Sequence, residues 1–229
     1  MIIAIDGPSG AGKSTLGRLL ARELRLLYID TGAMYRAAAL AVIGAGVSTT
    51  DEAGVARVVG EADINLAGDP DSLQVMLDGR DVSEEIRTEE VSHTASVISA
   101  IPEVRRRLVS RQRELGERAG GVVLDGRDIG TVVFPSADVK FFLTAAPEER
   151  AQRRYEEDRM KERDATFEET LIEINMRDRR DTTREDSPLV AAPDAVRIDS
   201  TELSIEEVFG RMLEAVREKK EETRGRGDA

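Results

Sequence analysis

Gly7-Pro8-Ser9-Gly10-Ala11-Gly12-Lys13-Ser14-Thr15 follows the apolar run Met1-Ile2-Ile3-Ala4-Ile5-Asp6 and leads into an amphipathic stretch that begins at Lys13. Its spacing is that of the phosphate-binding loop G-x-x-x-x-G-K-[ST], and the strand-loop-helix context that gives this motif meaning is present on both sides. The glycines let backbone N–H groups turn inward around the phosphates of ATP. Lys13 reaches the β and γ oxygens, and Ser14 offers its hydroxyl to Mg²⁺ at the positive end of a helix. The ATP cradle is therefore expected to consist of Gly7, Pro8, Ser9, Gly10, Ala11, Gly12, Lys13, Ser14 and Thr15. A dinucleotide-binding G-x-G-x-x-G loop has no need of Lys13-Ser14 and spaces its glycines differently.

Outward from this loop, five short apolar segments bounded by turn residues read as strands: Ile2–Asp6, Leu26–Asp30, Val122–Asp125, Val139–Thr144 and Val196–Asp199. Helical patterns separate them, roughly over Lys13–Arg25, Ala33–Ile43, Thr88–Ala100, Glu103–Arg118, Pro147–Glu162, Phe167–Arg180 and Ser204–Lys220. Such alternation predicts an α/β fold of the P-loop NTPase type, with a five-stranded parallel sheet covered by helices on both faces. Residues 47–87 break the rhythm. Asp63–Leu66, Leu73–Leu77 and Arg80–Val82 read as short strands joined by Asp/Gly/Pro turns, which predicts a small antiparallel insert. Residues 1–220 are expected to form a single domain and the polar end, 221–229, a disordered tail.

Composition narrows the function. The chain has 229 residues, 40% of them hydrophobic, and a net charge of −12, so its surface as a whole repels nucleic acid and acidic membranes. A polyanionic ligand must be met by local basic clusters. Cysteine is absent and histidine occurs once, as His93, which excludes thiolate nucleophiles, Cys/His metal sites and histidine acid-base catalysis. Lysine occurs only at Lys13, Lys140, Lys161, Lys219 and Lys220; arginine, the residue suited to bidentate phosphate binding, dominates the cations. The N-terminus has no signal-peptide pattern, and no apolar run approaches the ~20 residues of a membrane span. A cytoplasmic monomer with no membrane and no nucleic-acid partner is the expectation.

Beyond the loop stand Asp30-Thr31-Gly32-Ala33-Met34-Tyr35-Arg36, Ile101-Pro102-Glu103-Val104-Arg105, Asp125-Gly126-Arg127-Asp128-Ile129-Gly130-Thr131 and Arg177-Asp178-Arg179-Arg180-Asp181-Thr182-Thr183-Arg184. In this order around a small insert, they resemble the bacterial cytidylate kinases over nearly the whole length. The resemblance implies transfer of the γ-phosphoryl group of ATP to CMP or dCMP, with an NMP-binding insert at 47–100 and an arginine-rich lid at 147–185. It further implies Arg150, Arg154 and Arg177 near the transferring phosphoryl, with Lys13 of the loop. Asp181 would lie on the sugar, Arg184, Arg36 and Arg127 on the CMP phosphate, Ser96, Arg105 and Asp128 around the base, and Thr31 near the nucleotide.

The residues' own chemistry agrees in part. Val122-Val123-Leu124 delivers Asp125 at a strand's C-terminal end, where open α/β sheets bind ligands, so Asp125 would hold Mg²⁺ through water. Arg177, Asp181 and Arg184 share one face if the helix continues through all three, and Arg150, Arg153 and Arg154 likewise sit at i, i+3 and i+4; charge runs of this kind are also often plain solvated faces. Cytosine presents an N4 amine beside N3 and O2 acceptors, an edge that a carboxylate and a guanidinium can read. A monophosphate nucleophile carries about −1.5 to −2 charge at pH 7 and needs no strong base. The alternatives are another small-molecule P-loop kinase, or a nucleotide-dependent switch or ATPase. A GTPase switch should carry an N-K-x-D motif, which is absent.

Overall fold

The computed structural model describes residues 1–160 and 165–227, with side chains to residue 222. In chain order the strands are β1 (Ile2–Asp6), β2 (Leu27–Asp30), β3 (Ile64–Ala67), β4 (Gln74–Leu77), β5 (Arg80–Asp81), β6 (Val122–Gly126), β7 (Val139–Thr144) and β8 (Val196–Asp199). The helices are α1 (Lys13–Leu24), α2 (Thr31–Gly44), α3 (Glu52–Glu61), α4 (Glu89–Ile98), α5 (Pro102–Arg118), α6 (Pro147–Met160), α7 (Phe167–Thr183) and α8 (Ile205–Gly227).

The five strands expected from their apolar runs form one parallel sheet in the order β2-β6-β1-β7-β8. Alternate residues of a strand point to opposite faces, and both faces here are covered. Ala4, Ile29, Val122 and Leu124 join one core with α2, α3, α4 and α5. Ile3, Ile5, Val123 and Phe141 join the other with α1 and α8. Ile3, Ile5 and Leu124 are fully buried, each stabilising the fold by about 1.5–3 kcal/mol relative to an exposed side chain.

The second sheet is antiparallel in the order β3-β4-β5, closed by an Asp78-Gly79 turn with both residues at positive φ. That is the backbone a two-residue hairpin between Leu77 and Arg80 requires. Ile64, Val75 and Leu77 belong to the same core as α2, so the insert has no separate interior. Helix α3 was not expected. Its sequence carries Gly54, Gly60 and three valines, all weak helix formers; Asp51 caps it by accepting from the Gly54 N–H at 2.9 Å, and Val55 and Val59 are buried in the shared core.

Helix α2 starts two residues earlier than expected because Asp30, the last residue of β2, caps it through the Ala33 N–H at 2.8 Å. At the other end of the chain α8 continues to Gly227, so 221–227, expected as a disordered tail, is drawn as helix; residues 228–229 lie outside the described residues. A run rich in Glu, Lys and Arg has high helix propensity, and Lys219 pairs with Glu222 at 3.2 Å along the same face. The last two residues of the helix expected to end at Glu162 also lie outside the described residues. Among the described residues no helix is long and apolar enough to cross a membrane.

One buried carboxylate ties β1 to the segment after β6. Asp6 accepts from the N–H groups of Ile129 and Gly130, both at 2.8 Å. Burial pushes its carboxyl up to about 6, against the opposing pull of those two donors. A carboxyl raised in the folded state binds its proton more tightly there than in the unfolded chain. Its contribution to stability is therefore full below about pH 4 and is lost as pH rises through about 6. Between pH 5.5 and 7.5 the wild type should lose about 1 kcal/mol of unfolding free energy more than Asp6→Asn does, measured by urea denaturation at both pH values.

Candidate active site

The parallel topology gathers the C-terminal ends of β1, β2 and β6 at one edge, and the loop 7–12 leaves β1 there. Gly7 has φ 149° and no room for a side chain, since a Cβ would lie 2.1 Å from the Leu143 carbonyl oxygen. Gly10, at φ 78°, faces Arg150 of α6, whose Cβ a side chain at Gly10 would meet at 3.0 Å. Gly12 caps α1 in the left-handed region with no side chain bonded to the first turn, and no acidic residue occupies that turn. The helix N-terminus is left with inward N–H donors and an uncompensated positive dipole, which is what binds anions.

Lys13 is buried, and its ammonium donates to the Pro8 carbonyl at 2.6 Å. Burial holds it well below the ordinary lysine range, and the neighbouring Arg127 adds to this, with Asp125 opposing. Ser14 donates to Asp125 Oδ2 at 2.8 Å, and Tyr28 donates to Asp125 Oδ1 at 2.9 Å. Asp125 is pushed up to about 6, first by burial and then by Asp30, its register partner on β2. A hydroxyl and a carboxylate together at the mouth of the loop form a hard oxygen set suited to Mg²⁺, which typically takes only one or two carboxylates from the protein. Tyr28 was not anticipated; its hydroxyl fixes the second oxygen of Asp125.

Beyond Asp125 lies a cluster of opposed charges. Arg127 donates to Asp181 at 2.8 Å, and Arg184 lies 3.7 Å from the other Asp181 oxygen. Burial works against ionisation of Asp181, but Arg127, Arg177 and Arg184 outweigh it and hold the carboxyl below its usual value. Arg177 is driven down to about 10 by burial and then by Arg127. Helix α7 ends at Thr183, and Arg184 has extended backbone (φ −61°, ψ 142°), so the three residues do not share a continuous helical face. Arg184 returns to Asp181 from the chain beyond, steadied by the Ser187 carbonyl at 2.7 Å.

A third group is closed upon itself. Arg105 donates to Asp128 and, at 3.1 Å, to the Ser99 carbonyl, and its guanidinium stands 5.8 Å from the Tyr35 ring centroid. Arg184 lies 3.9 Å from the second Asp128 oxygen. Ser96 accepts from Arg180 of α7. Tyr35 Oη, Arg105 Nε and Arg184 Nη2 are buried and make no hydrogen bond. Thr31 donates to the Asp125 carbonyl at 2.6 Å and is buried beneath the strand ends.

A cleft of about 1210 Å³ opens over the loop and is lined by Lys13, Arg36, Asp125, Arg127, Arg154 and Arg177 among others, whereas Thr31, Ser96, Arg105, Asp128, Asp181 and Arg184 lie behind its wall. Arg36 pairs with Asp30 at 3.2 Å on its wall. Arg150 lies behind the loop: it is buried, pairs with Asp178 at 2.6 Å and donates to the carbonyls of Ser9 at 3.0 Å and Ala145 at 2.9 Å. Sequence reasoning missed Asp6, Tyr28, Tyr35 and Arg180. Of these only Asp6, standing at a strand end immediately before the loop, carried a local signal.

The sequence model of the cytidylate kinase family matches residues 3–218. The chain is 52% identical over 219 residues to a cytidylate kinase of Geobacter sp. (strain M21), covering 96% of this chain and 94% of that one. It is 50% identical over 217 residues to the cytidylate kinase of Bacillus subtilis (strain 168), covering 95% and 96%. A shikimate kinase structure from Bacteroides thetaiotaomicron shares the fold at 15% identity, with a TM-score of 0.50 over 95% of this chain and 98% of that one. With a family match over nearly its whole length and half of its residues identical to those relatives, the chain belongs to the cytidylate kinase family.

Proposed function

We propose that this chain transfers the γ-phosphoryl group of ATP to CMP or dCMP, as a cytoplasmic monomer. The observation that carries this reading is the arrangement of the cleft. The phosphate-binding loop and the arginines Arg36, Arg127, Arg154 and Arg177 line one cleft, and behind its wall Asp181 and Arg184 connect Arg127 to the buried carboxylate–guanidinium pair Asp128 with Arg105.

In the scheme, the loop's N–H groups and Lys13 hold the ATP phosphates. Mg²⁺ held near Ser14 and Asp125 would neutralise charge on the β and γ oxygens. Arg36, Arg127 and Arg184 take the CMP phosphate, each already near a carboxylate with which it can share charge. Asp181 accepts from the sugar, and Asp128 accepts from the N4 amine while Arg105 and Ser96 meet the rest of the base edge. Arg154 and Arg177, which line the cleft, face the transferring group. Arg150, with its donors on Ser9, Ala145 and Asp178, acts by bracing the loop. The pair α6–α7 forms the lid that excludes water and restrains hydrolysis.

Phosphoryl transfer to an anionic acceptor asks for positioning and charge stabilisation, which this cluster supplies without a general base. ADP release measured against each common NMP and dNMP tests the proposal. Turnover that requires CMP or dCMP supports it, and acceptor-independent hydrolysis or a different preferred acceptor overturns it.

Two variants test the assignments. Asp128 as a carboxylate can only accept, which suits the cytosine amine and opposes O4 of uracil; an asparagine amide can turn either way. Asp128→Asn should shrink the CMP:UMP ratio of kcat/KM by roughly one to two orders of magnitude. Lys13→Met removes a charge held below its ordinary range by burial and by Arg127, so the nucleotide-free variant should melt at or above the wild-type temperature. ATP should raise its Tm far less than it raises that of the wild type, measured by thermal shift.

A further inference from the structure

Asp128 sits where β6 has ended and a wide turn begins. Its carbonyl accepts from both Val132 at 2.8 Å and Val133 at 3.1 Å, and Phe134 donates to Ile129 at 2.7 Å, so residues 129–133 form one broad helical turn. This turn is held at both ends by side chains from elsewhere. At its start the two oxygens of Asp6 take the N–H groups of Ile129 and Gly130, one each. At its end Arg113 of α5 donates to the carbonyls of Val133 at 2.9 Å and Val132 at 2.6 Å. Gly130 is pressed between Asp6 and Lys140: a Cβ there would meet the Lys140 chain at 3.1 Å and Asp6 Oδ2 at 3.4 Å.

The geometry has a direct effect on Asp128. The direction of the Ile129 N–H is fixed by rotation about the Asp128 Cα–C bond, where ψ is 24°. A carboxylate that holds this N–H together with its neighbour fixes the plane of the Ile129 peptide, and the ψ of Asp128 then fixes how its side chain stands relative to that clamped plane. Each bond is charge-assisted and buried, which makes the lock stiff.

We propose that Asp6 is a positioning residue for acceptor selection: by clamping the Ile129 and Gly130 N–H groups it sets the direction in which Asp128 presents its carboxylate to the base. The inference rests on the reading of Asp128 as the group that recognises cytosine. Asp6 also precedes Gly7, so the competing role is simple support of the phosphate loop. The two differ in what they change: loop support acts on ATP and on turnover with every acceptor alike, whereas the clamp acts on the choice between acceptors.

The experiment measures kcat and KM for CMP, UMP and ATP in the full-length wild type, Asp6→Asn, Arg113→Met and Asp128→Asn. In Asp6→Asn one amide oxygen can keep one N–H, but the NH₂ faces the other donor, so the turn is released at that point. The expected result is a CMP:UMP ratio lowered by about tenfold, carried mainly by a higher KM for CMP, with KM for ATP within about twofold of wild type. Arg113 is exposed, and its loss frees the other end of the turn; a smaller fall of about threefold is expected. An unchanged ratio in folded Asp6→Asn, or an equal loss with CMP and UMP accompanied by a raised KM for ATP, overturns the proposal. Where Asp6→Asn does not fold, Arg113→Met decides, and an unchanged ratio there overturns it. Asp128→Asn separates the two levels. An unchanged ratio in that variant removes the cytosine assignment and this inference with it, whereas a fall there alone removes only the clamp.

Discussion

The constraint from which the active site follows is the crowding of cations around Lys13. An ammonium buried with a single hydrogen-bond acceptor, Pro8, and repelled by Arg127 and Arg177, is an unfavourable arrangement in a folded chain. So is a guanidinium such as Arg177, driven down to about 10. Charges placed so are stable only if the rest of the fold over-determines their position. Here the positions are fixed by the loop's glycines, by the α1 N-terminus and by Asp125 and Asp181, which supply partial compensation. The remaining positive potential is available to a polyanion. A protein with a net charge of −12 can thus hold a strongly attractive site without a basic surface, because that potential is buried and screened little by salt.

The sheet makes this possible by its strand order. β6 lies between β1 and β2, and parallel pairing sets Asp6 level with Gly126 and Asp30 level with Asp125. Three acidic residues therefore end at one edge, each with a separate task. Asp125 holds Ser14 and Tyr28, Asp30 caps α2 and pairs with Arg36, and Asp6 turns away from the cleft to the backbone after Asp128. Hydrogen bonding, not position alone, separates their chemistry. A similar division runs through the arginines of α6. Arg150 spends its donors on the loop carbonyl of Ser9, on Ala145 and on Asp178, and Arg154, one turn on, lies on the cleft wall beside Asp158.

The phosphate loop, the five strands and the insert hairpins were legible in the sequence because each is coded locally: glycine spacing, β-branched runs and an Asp-Gly turn. Helix α3 was not, since its valines and glycines favour other structures, and it is held by the Asp51 cap and by Val55 and Val59 in the shared core it forms with α2 and α5. Helix α7, expected to end near Arg180, runs on to Thr183, and the shared face of Arg177, Asp181 and Arg184, which required the helix to continue through all three, is not formed because Arg184 already has extended backbone. Long-range pairs leave the weakest trace. Asp6 and Ile129 are 123 residues apart, as Arg180 and Ser96 are 84 apart, and nothing in either local sequence names the partner.

The closed state of the pair proposed to read the base bears on how selectivity would arise. Asp128 and Arg105 are buried, and each is compensated by the other. Leaving either alone in that interior would cost several kcal/mol, so their pairing keeps the site folded in the absence of nucleotide. On the proposed reading a pyrimidine would exchange this bond for its own, and the exchange would be nearly neutral only if the base offers a donor to the carboxylate and an acceptor to the guanidinium. Cytosine offers both on one edge; uracil presents a second acceptor to a group that can only accept. Discrimination of this kind arises less from attraction to the right base than from the loss of an existing pair when the wrong one enters. Such discrimination would depend on Asp128 being held in place, and the backbone turn after it is fastened by Asp6 at one end and by Arg113 at the other.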